Sequence, residues 1–327
     1  MKNNKGNIVW GIIGCGDVAE VKSGPAFQNC DHSELRAVMR RDGNKAKDFA
    51  ERHQVPIWYD DVEQLLQNDD INAVYVATPP STHLAYALQS LEAGKDVYLE
   101  KPMVLNESEA AILKDAVSQC NNKLVVAHYR RYLPMYLKVK ELLDNQAIGQ
   151  VKYVDITYLI KHQSEIEDNW RINPLLSGGS IFHDLAPHQL DLMYYFFGDY
   201  KYAKGYASNQ SQKHHASDTV NGIIGFENGI QFRGMWSFDV SDALEIDNCT
   251  INGSRGTISF PFYGNELKLR VGSDINTYEF KNPIHIQQPL IQETINYFLN
   301  KRTNPCTVEE GTIVTAMIDK LTNKLNH

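Results

Sequence analysis

Short apolar runs alternate with amphipathic stretches through the first half of the chain. Runs such as Ala73-Val74-Tyr75-Val76-Ala77 do not alternate with polar residues, as expected of strands buried on both faces. The pattern predicts strands over 8–13, 35–39, 57–59, 73–77, 96–99 and 124–127. Between them, helical periodicity runs over 45–52, 83–93 and 107–120, with Gly94 as a stop signal. Strand and helix in alternation at this interval predict a parallel sheet with helices on both faces.

One further helix is expected over 133–143, and the rhythm changes after Gly149. Most later elements read as extended, over 151–160, 219–226, 230–238, 251–260 and 267–271. Turn signals separate them, among them Glu227-Asn228-Gly229 and Gly253-Ser254-Arg255-Gly256. A helix is inserted near 187–197, and two more close the chain near 286–300 and 308–325. The expected organisation is an α/β domain over 1–149, then an α+β domain with a mostly antiparallel sheet over 150–327. The C-terminal helix is free to pack back on the first domain.

The loop Gly14-Cys15-Gly16-Asp17-Val18-Ala19 follows the first predicted strand directly and opens a helix. Its first glycine permits a tight turn, and its second lets the backbone approach a pyrophosphate. The small Ala19 lets helix and strand pack closely, with the phosphates on the helix N-terminus. In isolation such a loop is an ordinary strand-to-helix turn; its place in a βαβ pattern points to a dinucleotide. Thr78-Pro79-Pro80 and His83 follow the fourth strand, and Glu100-Lys101-Pro102 follows the fifth. Ligands of open parallel sheets bind at the carboxyl ends of the strands, so these segments are expected to line one crevice with the glycine loop.

The second strand ends in Arg40-Arg41, where an NAD-selective site places a carboxylate. Two guanidinium groups there would grip a 2′-phosphate, which predicts NADP(H), with NAD(H) as the alternative. Asp42 is the competing feature, because a small shift in the strand end would bring its carboxylate to the ribose.

Composition narrows the class. At 327 residues the chain is long for one core, and its 43% hydrophobic and 22% charged residues are ordinary for a globular protein. A net charge of −8 and a pI near 5.8 argue against a nucleic-acid or anionic-membrane partner. No apolar stretch approaches the roughly 18 residues a membrane span needs. The run over 8–13 ends in the glycine loop rather than in a signal-peptide pattern. The five cysteines are scattered without metal-type spacing, which fits a reducing cytoplasm.

Lys101 stands just past a buried strand, before a proline and beside Glu100. A lysine there is ordinary surface unless the strand end is a cofactor rim, in which case it can hydrogen-bond a substrate oxygen. Downstream, Trp170-Arg171 precedes Ser177-Gly178-Gly179-Ser180 and then His183, Asp184 and His188. Asp184 and His188 are four apart, so on a helix they share one face. Together they offer an acceptor for a hydroxyl and an imidazole, the side chain that titrates nearest neutrality. Two bland or rival readings stay open: Asp184 as a cap for a helix starting near Pro187, and a metal site on His183, Asp184 and His188. No other ligand cluster accompanies the latter, so no metal is expected. His214-His215 reads as a solvated loop.

With these residues in place, the chain resembles the Gfo/Idh/MocA oxidoreductases over essentially its whole length. The resemblance rests on Gly14-x-Gly16-x-x-Ala19, Ala77-Thr78-Pro79-Pro80, Glu100-Lys101-Pro102 and Asp184-x-x-x-His188 behind Gly178-Gly179. It implies a Rossmann domain followed by a second domain whose large open sheet commonly forms the subunit interface, hence a homodimer or homotetramer. It also implies that Lys101 orients and polarises the reacting oxygen, that His188 is the acid/base, and that Asp184 positions a hydroxyl and the imidazole. Trp170 and Arg171 resemble a pair that lines the substrate pocket in some reductase members. Family substrates are mostly sugars, cyclitols and anhydrosugars, with dihydrodiols in some animal members. The expected activity is therefore hydride transfer between NADP(H) or NAD(H) and a carbinol or carbonyl carbon. Two alternatives come from other classes: a redox-neutral, NAD-dependent glycosidase, and a cofactor-binding regulator without chemistry.

Overall fold

The computed structural model describes residues 6–161 and 170–322. The chain divides into two compact units, Met1–Tyr129 with Pro283–Ile313 and Arg130–Asn282 with Val314–His327.

In the first unit, strands and helices alternate as β1 (Ile8–Ile13), α1 (Gly24–Asn29), β2 (Ser33–Met39), α2 (Gly43–Arg52), β3 (Ile57–Tyr59), α3 (Val62–Leu66), β4 (Ala73–Val76), α4 (His83–Glu92), β5 (Asp96–Leu99), α5 (Glu107–Gln119) and β6 (Leu124–Val126). The six strands are parallel in the order β3-β2-β1-β4-β5-β6. β1 and β4 are buried along their whole length, which is why their sequences are apolar without alternation. Chain direction reverses its stepping between β1 and β4, the switch point at which such sheets bind ligands. All strand carboxyl ends lie on one edge, because the strands are parallel.

The second unit holds α6 (Pro134–Asp144), β7 (Val151–Lys161), α7 (Pro174–Ser177), α8 (Ile181–Phe197), β8 (Tyr200–Ser208), β9 (Thr219–Phe226), β10 (Gln231–Val240), β11 (Ile246–Gly253), β12 (Gly256–Phe260), β13 (Glu266–Val271) and β14 (Asp274–Glu279). The eight strands run in the order β14-β13-β12-β11-β7-β10-β9-β8, with β7 and β10 parallel and every other pair antiparallel. One face of this sheet is covered. Trp236 of β10 packs edge-on against Phe182 of α8, 5.0 Å between centroids, and its indole N–H donates to Gln189. Two helices close the chain: α9 (Gln288–Phe298), in the first unit, and α10 (Val308–Leu321), which begins in the first unit and ends in the second. Gly205 and Gly222, paired across β8 and β9, let the end of α10 lie close on the sheet, because a Cβ at either would overlap Leu321.

The opposite face carries Tyr202, Tyr206, Ile223, Met235, Tyr153 and Ile246, all at least partly exposed, among threonines and asparagines. Strand alternation therefore runs apolar-in and mixed-out, with aromatic side chains on the open side.

The structure corrects several sequence expectations. The single strand expected over 251–260 is a hairpin of β11 and β12 that turns at the glycine pair bounding Ser254-Arg255. β8 and β14 were not expected; both are edge strands interrupted or bounded by charged residues, Lys201 and Lys204 in β8 and Asp274 and Glu279 at the two ends of β14. The short α3 and α7 were also missed. The inserted helix begins at Ile181 rather than Pro187, so Pro187 lies inside α8. The part of the last predicted helix over 323–325 lies outside the described residues.

Candidate functional site

The first set of expected residues occupies the carboxyl edge of the parallel sheet. Gly14 and Cys15 both donate their backbone N–H to the Met39 carbonyl, at 2.9 and 3.3 Å, which ties the loop after β1 to the end of β2. Gly14 has φ +95, and a Cβ there would stand 2.9 Å from backbone atoms of Ala77 and Thr78. The tight turn and the close approach thus both require glycine. Gly16 differs: a Cβ there would meet nothing within 4 Å. The backbone at Gly16 faces open space, as a loop that cradles a pyrophosphate must. Asp17 is exposed, Val18 half-buried and Ala19 buried, and a π-helical turn over Ala19–Ser23 leads into α1. Burial pushes the Cys15 thiol up to about 11 despite the opposing Arg40 charge, so Cys15 contributes backbone and a neutral side chain.

Arg40 is half-buried, with Nη1 3.4 Å from the Cys15 carbonyl oxygen, and so lies against the glycine loop. Arg41 is exposed. Asp42 is the N-cap of α2, its carboxylate accepting the Lys45 N–H at 3.2 Å. The residues present fit a dinucleotide, and the cap gives Asp42 a different employment from binding a ribose.

After β4, Thr82 Oγ1 lies 2.7 Å from Thr78 Oγ1 and 2.9 Å from the Pro79 carbonyl. His83 is fully buried, with its ring nitrogens 2.7 Å from the Thr78 carbonyl and 2.9 Å from that of Pro102. Burial pulls the His83 pKa below its ordinary value, favouring the neutral ring. The imidazole lies between the loop after β4 and the loop after β5 and, when neutral, donates to one of the two carbonyls. Glu100 turns into the interior, where it accepts from Tyr75, Gln287 and the Lys101 backbone N–H, while Lys101 itself is half-buried.

The second set lies on α8 and the turn before it. Ser180 is the N-cap of α8, in a reciprocal box in which the His183 ring accepts the Ser180 N–H at 3.0 Å. This overturns the reading of Asp184 as the cap; Asp184 sits a full turn inside. A Cβ at Gly179 would overlap the His183 ring, which accounts for the second glycine of Gly178-Gly179. The first has φ +84 at the end of α7. Asp184 accepts from Arg171 Nε at 2.8 Å, and the Arg171 guanidinium lies 4.6 Å from the Trp170 ring centroid. His188 is buried one turn on. On the same face follows Asp191, held by buried Arg131 through Nε at 3.0 and 3.1 Å and Nη2 at 2.7 Å. Among the described residues, no three of His, Cys, Asp and Glu are grouped to hold a metal.

Each unit thus gathers its own expected residues: the loop, Arg40, Thr78, Pro79, His83, Glu100 and Lys101 in one, and Trp170, Arg171, Asp184 and His188 in the other. Sequence reasoning missed Arg131, Asp191, Tyr75 and Gln287. Asp191 could have been found by extending the helical face from Asp184 and His188; Gln287 carried no local signal.

The description of an oxidoreductase family with an NAD-binding Rossmann fold, GFO_IDH_MocA, matches residues 8–128, and that of its GFO/IDH/MocA C-terminal domain matches residues 136–259. The chain is 51% identical over 319 residues to Oxidoreductase P35 of Formosa agariphila, covering 95% of this chain and 97% of that protein. It is 34% identical to a trans-1,2-dihydrobenzene-1,2-diol dehydrogenase of Xenopus laevis over 147 residues, 44% of each. Among solved structures it is similar in fold to a 3-ketoreductase from Actinomadura kijaniata in complex with NADP and TDP-benzene, with TM-score 0.84 and 20% identity over 96% of each chain. It is equally similar to an aldose-aldose oxidoreductase from Caulobacter crescentus complexed with glycerol, with TM-score 0.85 and 21% identity over 96% of each.

The two loop glycines should respond differently to one methyl group. Gly14→Ala is expected to destabilise the chain by about 1–3 kcal/mol in urea unfolding, through the forced φ and the contact with Thr78. Gly16→Ala is expected to leave the unfolding midpoint unchanged yet weaken dinucleotide binding about ten-fold or more, measured by titration calorimetry. Equal dinucleotide affinity in Gly16→Ala would show that the open space at Gly16 is not the phosphate cradle.

Proposed function

As the chain belongs to the Gfo/Idh/MocA family of oxidoreductases, we propose that it transfers a hydride between NADP(H) and a carbinol or carbonyl carbon of a sugar, cyclitol or anhydrosugar. The observation that carries this reading is the alignment of Arg40, the glycine loop, Thr78 and Lys101 along one sheet edge, at the ends of β2, β1, β4 and β5. The sugar-related relatives support the substrate class.

When bound, the dinucleotide supplies or accepts the hydride. The chain's residues do the rest. The Gly14–Ala19 segment holds the pyrophosphate, and Arg40, with exposed Arg41 beside it, takes the 2′-phosphate in charge-assisted hydrogen bonds. Thr78, Pro79 and His83 shape the wall after β4. For Lys101 the proposed role is to orient and polarise a reacting oxygen, and for His188 that of an acid/base. Asp184, oriented by Arg171, accepts from a neighbouring substrate hydroxyl, and the Trp170 ring offers an apolar face to the sugar. The open sheet face, with its exposed tyrosines, isoleucine and methionine, packs against the same face of a second subunit in a homodimer or in a tetramer of such dimers. All five cysteines are free thiols, in keeping with a cytoplasmic location; among the described residues no helix is long and apolar enough to cross a membrane.

Three measurements follow from this reading. Lys101→Ala and His188→Ala are expected to lower kcat by about 10²–10⁴-fold while keeping dinucleotide affinity; near wild-type kcat in His188→Ala would remove it as the acid/base. The ratio of kcat/KM for NADPH over NADH is expected to exceed unity and to fall about ten-fold or more in Arg40→Ala. A wild-type preference for NADH would return the site to NAD. Light scattering at micromolar concentration is expected to show a dimer or tetramer, and a monomer would contradict the sheet-to-sheet contact.

A further inference from the structure

This inference rests on the dinucleotide reading above and concerns Glu100. Its carboxylate is 4% exposed and accepts three hydrogen bonds, from Tyr75 O–H at 2.6 Å, Gln287 Nε2–H at 2.5 Å and the Lys101 backbone N–H at 3.0 Å. The Gln287 donor is itself oriented. Tyr98 O–H donates to Gln287 Oε1 at 3.0 Å, which turns the amide nitrogen of Gln287 toward Glu100. The Ser23 hydroxyl, with one proton to give, lies 3.1 Å from the Tyr75 oxygen and 3.3 Å from the Val18 carbonyl, while Tyr75 itself donates to Glu100. Each of the three partners therefore presents a donor to the Glu100 carboxylate. Burial, and next the Glu100 charge, push both phenols well above their ordinary range, so they keep the protons they donate.

Among the described residues, no lysine or arginine forms an ion pair with this carboxylate. A buried charge held by neutral donors alone is costly, and a cation brought to it is strongly favoured. The sheet order indicates which cation. With the pyrophosphate at the β1 loop and the adenosine end toward Arg40 at β2, the other nucleotide extends over β4 and β5. Adjacent strands are about 4.8 Å apart, so the β5 end lies about 10 Å from the glycine loop, one nucleotide's reach. That nucleotide carries the nicotinamide, which is cationic when oxidised and neutral when reduced.

We propose that Glu100 is a fixed buried negative charge that makes this site favour the oxidised over the reduced dinucleotide, with Gln287 and Tyr75 as the positioning residues that hold it. Gln287 reaches the network from the segment that returns to the first unit just before α9, far from any recognisable motif. The charge acts on binding of the two cofactor forms, not only on turnover.

The test is the ratio of dissociation constants for NADPH and NADP⁺, each measured by equilibrium titration without substrate. Relative to wild type, Glu100→Gln is expected to weaken NADP⁺ selectively, changing the ratio about ten-fold, the scale of one unit charge at this range. Gln287→Lys places an ammonium against the same carboxylate while leaving Glu100 intact. It is expected to move the ratio in the same direction, and it serves equally if Glu100→Gln does not fold. A folded Glu100→Gln whose ratio stays within about two-fold of wild type overturns the charge assignment while leaving the cofactor reading standing. A wild-type chain that binds neither form overturns both.

Discussion

At Gly14 the backbone after β1 comes so near the backbone after β4 that no side chain fits between them. The rest of the first unit's chemistry depends on that approach. It lets the glycine loop hang from the Met39 carbonyl at the end of β2 and sets the loop between the Arg40 guanidinium on one side and Thr78 on the other. A parallel sheet delivers strand ends to one edge, but only a close packing of loops makes that edge a continuous surface. His83 extends the same surface to β5 by filling the space between the carbonyls of Thr78 and Pro102.

Glu100, buried beneath this edge, is held by partners rather than by solvent, and carboxylates of the second unit are held in the same way. There the face of α8 presents Asp184, His188 and Asp191 in succession. Asp184 is turned by Arg171, Asp191 by Arg131, and the helix start is closed by Ser180 and His183. Removing one partner of a buried pair such as Arg131 and Asp191 is far costlier than the pair's net contribution. Side chains so restrained keep one orientation.

Much of this was legible in the residues. The alternating rhythm, the glycine loop and the strand-end segments specified the parallel sheet and the edge on which they gather, because period and turn chemistry are local. The Asp184 and His188 spacing was read correctly as one helical face, although Pro187 drew the predicted start of the helix too far along. A proline favours a first turn, yet the Ser180 and His183 box begins the helix earlier and carries the proline inside. The hairpin of β11 and β12 was fused into one strand although its turn residues were recognised. What sequence could not supply was long-range. Gln287 is 187 residues from Glu100, and Arg131 is 60 from Asp191; neither pairing leaves a periodic trace.

The central claim is oxidoreduction of a polyhydroxylated substrate at the expense of a nicotinamide cofactor. It is tested most directly by following NADPH absorbance, with NADPH or NADP⁺ supplied, across a panel of aldoses, ketoses, inositols, anhydrosugars and glycosides, with product analysed in parallel. The account predicts that at least one substrate is converted with one cofactor molecule reduced or oxidised per product formed. Conversion of a glycoside with no net change in added cofactor, or cofactor bound with no conversion anywhere in the panel, would contradict it.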